Sequence, residues 1–360
     1  MKLIVQPDEG VAALLNGIDA ARKSIAIAIF RFDHAEIKQA LERAVERGVS
    51  VHALIANTNH GSEKDLRKLE MEFLPAGIEV SRTGDDLLRH HYKFILVDHR
   101  VLYVLTFNFT YLDIENSRSF GIVTEDEELV HEAAKLFQSD IKRQPYKPER
   151  KDFVVSPINA RQELSRFVKG AEKQLLIYDA EVSDRQMIGL LRERARQGVE
   201  IRIIGRVTKT SPELNAGRLM RMRFHTRTII RDRRDAFLGS QSLREAELDR
   251  RRELGLIVND HAVVASLLRV FERDWGTATP AARAFEDKRT PAAAQKAVKV
   301  LVRQLPLTPL VQQALQHAAA DVQEPQFAGP EFAHNLEDAL KEAVEGAVSR
   351  IVRKTMANRA

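Results

Sequence analysis

The sequence predicts an α/β protein made of two repeats related by a pseudo-twofold, followed by a helical C-terminal extension. Three observations predict it. A strand–helix–strand pattern occurs twice, a spaced histidine signature occurs twice, and landmark residues keep fixed offsets between the copies. Two long copies describe paired domains, not a solenoid, which needs three or more short units.

In chain order, 24–30 is a buried-strand run, 35–47 an amphipathic helix closed by Gly48, and 49–55 the next strand. The second copy repeats this with a strand at 175–178, a helix at 184–197 closed by Gly198, and a strand at 199–204. Such alternation implies helices layered on mixed sheets. The expected domains are 1–145, 150–279 and 280–360, with the polar stretch 142–152, which carries Pro145 and Pro148, as linker. Beyond Pro280 the composition shifts to alanine and glutamine, and helices are expected at 292–305, 310–320 and 335–354. The last carries an apolar stripe through Leu336, Leu340, Val344 and Ile351, read as packing on its own body.

The signature is His91, Lys93 and Asp98, H-x-K-x4-D, repeated 134 residues on as His225, Arg227 and Asp232. At that same offset Leu105-Thr106-Phe107-Asn108 matches Gly239-Ser240-Gln241-Ser242, Ser119 matches Glu253, and Gly121 matches Gly255. Phe137 and Asp140 match Phe271 and Asp274. Upstream the offset is 150, aligning 23–27 with 173–177, so the first repeat holds 16 extra residues within 57–86. A loop or an added helix accommodates such length. Both histidines are expected on strands with apolar neighbours. Two histidines with cationic partners supply a nucleophile, a general acid and fixed positive charge, the requirements of phosphodiester cleavage.

A duplicated H-x-K-x4-D followed by G-S-x-N resembles the phospholipase D superfamily, over roughly residues 1–278. The segment Val155-Ser156-Pro157-Ile158-Asn159-Ala160-Arg161 is similar to cardiolipin-synthase-like members. The resemblance implies that one histidine attacks phosphorus to form a phosphohistidine while the other protonates the leaving oxygen and then activates water. His91 is the implied nucleophile and His225 the acid. It further implies that Lys93, Arg227, Asn108 and Ser242 hold phosphoryl oxygens, beside Ser240 of the second G-S-x-N. Glu253 orients a histidine, and Asp98 and Asp232 brace the motif. Four departures bear on activity: Arg227 replaces lysine, Leu105 replaces the glycine that lets backbone approach phosphate, Thr106 replaces the serine after it, and Ser119 stands where Glu253 stands in the other copy. His91 is then expected to lack a carboxylate unless Asp113 or Glu115 supplies one.

Cysteine is absent, which excludes disulfides and cysteine nucleophiles. No apolar stretch reaches the 20 or so residues of a membrane span, nor the core of a signal peptide, and the expectation is a soluble, cytoplasmic protein. His90 and His99 lack metal-ligand spacing, no P-loop or dinucleotide fingerprint occurs, and no metal or cofactor is called for. Net charge is +5, with Arg218, Arg221, Arg223, Arg227, Arg231, Arg233 and Arg234 crowding around His225. Strand alternation would project Arg223, His225, Arg227 and Arg231 together as a stripe for a polyanion. The substrate thus stays open between a phospholipid head group, cleaved or transferred, and DNA or RNA cut without metal. A degenerate module that binds without turnover is the third reading. Peripheral contact with an anionic membrane accompanies the first, and nothing in the sequence fixes an oligomeric state.

Overall fold

A computed structural model describes residues 1–57, 63–208, 214–219 and 222–280. Residues 1–281 form one compact unit. The helices expected at 292–305, 310–320 and 335–354 lie outside the described residues.

The first repeat runs β1 (Lys2–Gln6), α1 (Ala12–Ala20), β2 (Ser24–Ile29), α2 (Ala35–Glu46), β3 (Ser50–Ile55), α3 (Glu63–Phe73), β4 (Glu79–Arg82), β5 (Arg89–His90), β6 (Lys93–Val97), β7 (Val101–Leu105), α4 (Tyr111–Glu115), β8 (Ser117–Thr124) and α5 (Glu127–Lys142). The second runs β9 (Phe153–Ser156), α6 (Ala160–Lys169), β10 (Gln174–Val182), α7 (Arg185–Arg196), β11 (Glu200–Val207), β12 (Asn215–Arg218), β13 (Arg223–Phe224), β14 (Arg227–Arg231), β15 (Asp235–Gly239), α8 (Glu245–Asp249), β16 (Arg251–Val258), α9 (His261–Thr277) and β17 (Thr279–Pro280). Helix α3 is the insertion that the changed offset announced.

Local chemistry sets these elements. Helix α2 buries Ile37, Ala40, Leu41 and Ala44 on one stripe and stops at Gly48, whose φ of +85° suits glycine. Asp184 caps α7 by accepting from Met187 N, and Gly198 (φ +90°) closes that end. Asp126 and Asp260 cap α5 and α9 in the same way, each accepting two backbone N–H groups.

The strands form two mixed sheets, ordered β1-β8-β7-β6-β2-β3-β4 and β17-β12-β11-β10-β14-β15-β16-β5. Each repeat lends the other a strand. β5 pairs in parallel with β16 through Arg89–Arg251 and His90–Arg252, and β13 pairs in parallel with β8 through Arg223–Ser117 and Phe224–Arg118. One core lies on the α1–α2–α3 side of the first sheet and another on the α6–α7 side of the second. The third holds residues of both repeats, including Phe94, Phe120, Phe137, Phe153, Tyr178 and Phe271, with α5 and α9 packed into it. Two buried ion pairs cross this junction: Arg252 reaches Asp140 at 3.0 Å, and Arg118 Nε donates to Asp274 at 2.8 Å. Tyr92 and Tyr178 hydroxyls donate to the same two carboxylates.

Residues 143–152, expected as a linker, contain no helix or strand but are docked. Tyr146 is buried with its hydroxyl on Glu132, and Arg150 pairs with Glu128 and Asp152.

Candidate active site

The lent strands place the histidines. His91 follows β5 and His225 follows β13, each in a two-residue break before the next strand, where the chain passes from one sheet to the other. The sequence expectation of histidines within strands is corrected on this point. The reason is the strand exchange: His91 N donates to Arg252 O and His225 N to Arg118 O, both at 2.8 Å. Each histidine is thus pinned by the backbone of the opposite repeat.

Beyond the histidines, β6 and β14 carry Lys93 and Arg227 inward before turning at Asp98-His99 and Asp232-Arg233. These four residues have φ between 50° and 59°, and the turns close with Arg100 N on Val97 O and Arg234 N on Arg231 O, the type I′ hairpin pattern. Asp98 accepts from Arg22 N, Lys23 N and Ser24 N, and Asp232 from Glu172 N, Lys173 N and Gln174 N, at 2.7–3.0 Å. Those backbone bonds hold both carboxylates below their ordinary range despite burial. Asp98 and Asp232 therefore tie the hairpins to β2 and β10 and are not part of the reacting cluster.

The carboxylates cross over as the strands do. Glu253 Oε2 lies 2.9 Å from His91 Nδ1, both groups buried, so the acid of the second repeat orients the histidine of the first. Asp113 Oδ2 lies 3.5 Å from His225 Nδ1, which donates to Thr106 O at 3.1 Å. The expectation that His91 lacks a carboxylate is corrected: the acid was sought within the same repeat, and it comes from the other. Glu115 points elsewhere, 3.8 Å from His34. Ser119 donates to Asp113 O at 3.2 Å. With Nδ1 as donor in both rings, each Nε2 keeps its lone pair, and that of His91 meets the Lys93 ammonium.

Lys93 Nζ sits 3.0 Å from His91 Nε2 and is 1% exposed. Burial first, then the charge of Arg227 against that of Glu253, bring its ammonium down to about 7. Burial holds both imidazoles well below the usual histidine range, with the charges of Lys93 and Arg227 acting on each in the same direction. Burial raises Glu253, opposed by Lys93. Burial also opposes ionisation of Asp113, but His225 and Arg223 outweigh it and hold the carboxyl far below the usual range. The two halves thus share one electrostatic field.

Around this core the repeats match in detail. Asp113 accepts from Asn108 N and Nδ2, and Glu247 accepts from Ser242 N at 2.6 Å. Arg227 Nε donates to Ser242 Oγ at 3.1 Å, while its buried Nη1 and the buried Oδ1 of Asn108 have no partner within the protein. Such orphaned atoms in a polar centre point to a ligand. Ser240 spends its hydroxyl on the backbone of Leu254, as Thr106 does on Phe120 N, so both brace strands. Glu247 escaped the sequence reading, although it sits at the constant offset of 134 from Asp113.

Two further expectations change. Leu105 does not crowd a phosphate: it is buried in the α1–α2 core, and a Cβ on Gly121 would meet its Cδ2 at 2.8 Å. In the second repeat Gly239 and Gly255 face one another under the Phe237 ring. Leucine for glycine is therefore a packing exchange. The arginine stripe is also broken up. Arg223 turns to Asp113 and Ser117, Arg231 to Asp235 and the Phe167 ring, Arg244 and Arg251 to Glu247, and Arg252 to Asp140. Arg221 lies outside the described residues.

Fold and site together define a phospholipase D-type protein, and a family model described as "Cardiolipin synthase, PLD-like domain" matches residues 14–141 and 164–275. The chain belongs to that family. Among its relatives, mitochondrial cardiolipin hydrolase of Homo sapiens is 31% identical over 140 residues, 38% of this chain and 51% of the relative. The Danio rerio protein of the same name is 33% identical over 121 residues, 32% of this chain and 50% of the relative. The chain spans about half the length of these curated relatives. Two solved structures share the fold. Polyphosphate kinase from Porphyromonas gingivalis has a TM-score of 0.64 at 18% identity, covering 76% of this chain and 50% of that one. Phosphatidylserine synthase from Haemophilus influenzae Rd KW20 has 0.60 at 11%, covering 78% and 87%. Among the described residues no helix is long and apolar enough to cross a membrane.

Proposed function

We propose that this protein cleaves a phospholipid phosphodiester through a phosphohistidine intermediate formed on His91. The observation that carries the reading is the paired tautomer control, with His91 Nδ1 on Glu253 and His225 Nδ1 on Thr106 O, leaving two Nε2 atoms in one field set by Lys93 and Arg227. His91 Nε2 attacks phosphorus as the bond to the leaving oxygen breaks, and His225, entering the step as an imidazolium beside Asp113, gives that oxygen its Nε2 proton. A water, or an acceptor alcohol in a transfer, then loses its proton to His225 and attacks phosphorus, breaking the P–N bond. Lys93 and Arg227 Nη1 stabilise the charge on the non-bridging oxygens, joined by the Ser242 hydroxyl. Burial favours the neutral imidazole that a nucleophile requires.

The lipid reading is supported by the cardiolipin-synthase type of the family model and by the name of the relatives. The ion pairs that close off most arginines near His225 argue in the same direction, because a nucleic-acid track needs free cations. The degenerate-module reading loses two of its three arguments, since Leu105 packs in a core and His91 has its carboxylate despite Ser119. The test is rapid quench of the wild-type protein with phosphatidylglycerol vesicles. An acid-labile, base-stable phosphoryl group on His91, absent from His91→Asn, is the expected result. Turnover of single- or double-stranded DNA with no lipid cleavage would overturn the substrate class, and full activity of His91→Asn would overturn the mechanism.

A further inference from the structure

A groove runs between helix α5 and the first sheet, at the end of β6 away from Lys93. It holds a cavity of about 400 Å³ bordered by His99, Arg100 and His131. A recess of about 130 Å³ shares His99 and Ala134 with that cavity and reaches His52 and Phe137. The second repeat has the same elements but packs this place with side chains. Arg202 of β11 lies with its Cζ 5.6 Å from the centre of the Phe271 ring and 5.7 Å from that of Trp275. Both of its Nη atoms donate to Glu272 at 2.7 Å.

The first repeat keeps the ring and loses the rest. At the offset of 150, His52 is the equivalent of Arg202, and it stands edge-on to Phe137, the equivalent of Phe271, at 5.5 Å. An imidazole reaches less far than a guanidinium, and Gln138 and Ile141 replace Glu272 and Trp275. Ala26 and Ala134 are partly exposed where Leu176 and Leu268 are buried. The rim changes charge as well. Glu79, the cross-strand neighbour of His52, corresponds to Asn215, the neighbour of Arg202. Glu125 and Glu127 correspond to Asn259 and His261, and His99 to Arg233. Three carboxylates and one guanidinium, that of Arg100, therefore line the groove. Burial lowers His52 below the ordinary histidine range against the pull of Glu79, so its ring adds no positive charge at neutrality.

We propose that this groove binds a small organic cation with an apolar body, of the amidinium or guanidinium type, whose charge replaces the one that Arg202 supplies in the second repeat. In that repeat the cation is tethered and meets its own carboxylate. In the first the carboxylates stand on the rim, the apolar floor of Leu96, Val130 and Phe137 is open, and the cation comes from outside. The volume falls in the range of small-molecule sites, roughly 300–1,000 Å³. Such a ligand has the opposite charge to a phosphodiester, so the inference stands apart from the proposed phospholipase activity.

Benzamidine, benzamide and benzoate share nearly one shape and differ in charge, and they are the probes. In isothermal titration of the full chain, benzamidine is expected to bind at least about tenfold more tightly than benzamide, and benzoate not at all. Ala134→Leu rebuilds the second repeat's packing, as does His52→Arg combined with Gln138→Glu. Each should abolish benzamidine binding while the urea unfolding midpoint and turnover of bis(p-nitrophenyl) phosphate stay at wild-type values. Glu79→Gln should weaken benzamidine about threefold or more and leave benzamide unchanged. No benzamidine binding, equal affinity for the three probes, or binding that survives both filling variants would overturn the site.

Discussion

Replacing Glu253 with glutamine isolates the cross-repeat hydrogen bond. The carboxylate is 0% exposed and 2.9 Å from His91 Nδ1, so the change keeps volume and removes one charge. A buried charge-assisted hydrogen bond contributes about 1.5–3 kcal/mol, and losing it lowers kcat roughly 10- to 150-fold. A second effect adds to this. The new amide can donate to Nδ1, which moves the ring proton to Nε2 and consumes the attacking lone pair. The same tautomer error in a serine-protease triad costs about 10⁴. The expected loss in kcat is therefore about 10²- to 10⁴-fold with KM little changed, because Lys93 and Arg227 still hold the phosphate. Steady-state hydrolysis of bis(p-nitrophenyl) phosphate reads it, with the urea unfolding midpoint as the control for folding. A kcat within about threefold of wild type in a folded variant would refute the assignment of Glu253 as the residue that orients His91.

Four other outcomes are expected. The kcat/KM profile should be bell-shaped, with its optimum at or below neutrality. Its rising limb is loss of the His91 proton, which burial moves well below the usual histidine range. Its falling limb is loss of the His225 acid proton, held low by burial against Asp113, together with the Lys93 charge at about 7. An optimum above pH 8 would contradict this. Asp274→Asn removes the partner of Arg118 and Tyr178, and breaking such a buried pair costs about 3–5 kcal/mol, measured by urea denaturation. Activity should fall too, since Arg118 O holds the amide of His225. Leu105→Ala should cost about 2–5 kcal/mol of stability with kcat unchanged in the folded fraction, as expected of a core side chain. Turnover should survive EDTA, because the residues assigned to phosphate supply its positive charge.

What was legible in the sequence was local or periodic. The x4 spacer, residues 94–97, is the remainder of β6 after Lys93, so that Asp98 opens the turn, and Asp98 caps N–H groups whose offset is conserved internally between the copies. The other landmarks fall on β7, β8 and α5, elements whose spacing is likewise internal to one repeat. Illegible was everything that depends on the lent strands. Glu253 aligns with Ser119, which left His91 without an expected carboxylate, because a linear offset compares repeats but does not say which halves touch. The arginine stripe failed similarly: alternation holds within one strand, whereas β13 and β14 belong to different sheets. Asp113, Asp140 and Glu247, which absorb those charges, lie up to about a hundred residues away.

The exchange of β5 and β13 also governs when chemistry becomes available during synthesis. A chain emerged only as far as residue 208 already holds His91, Lys93 and Asp113, yet it has neither Glu253 to fix the first imidazole nor His225 to protonate a leaving group. Its β5 has no β16 to dock on, so the backbone bond that pins His91 is missing as well. On the proposed mechanism the site is thus a coincidence gate, incomplete until both halves are folded and joined.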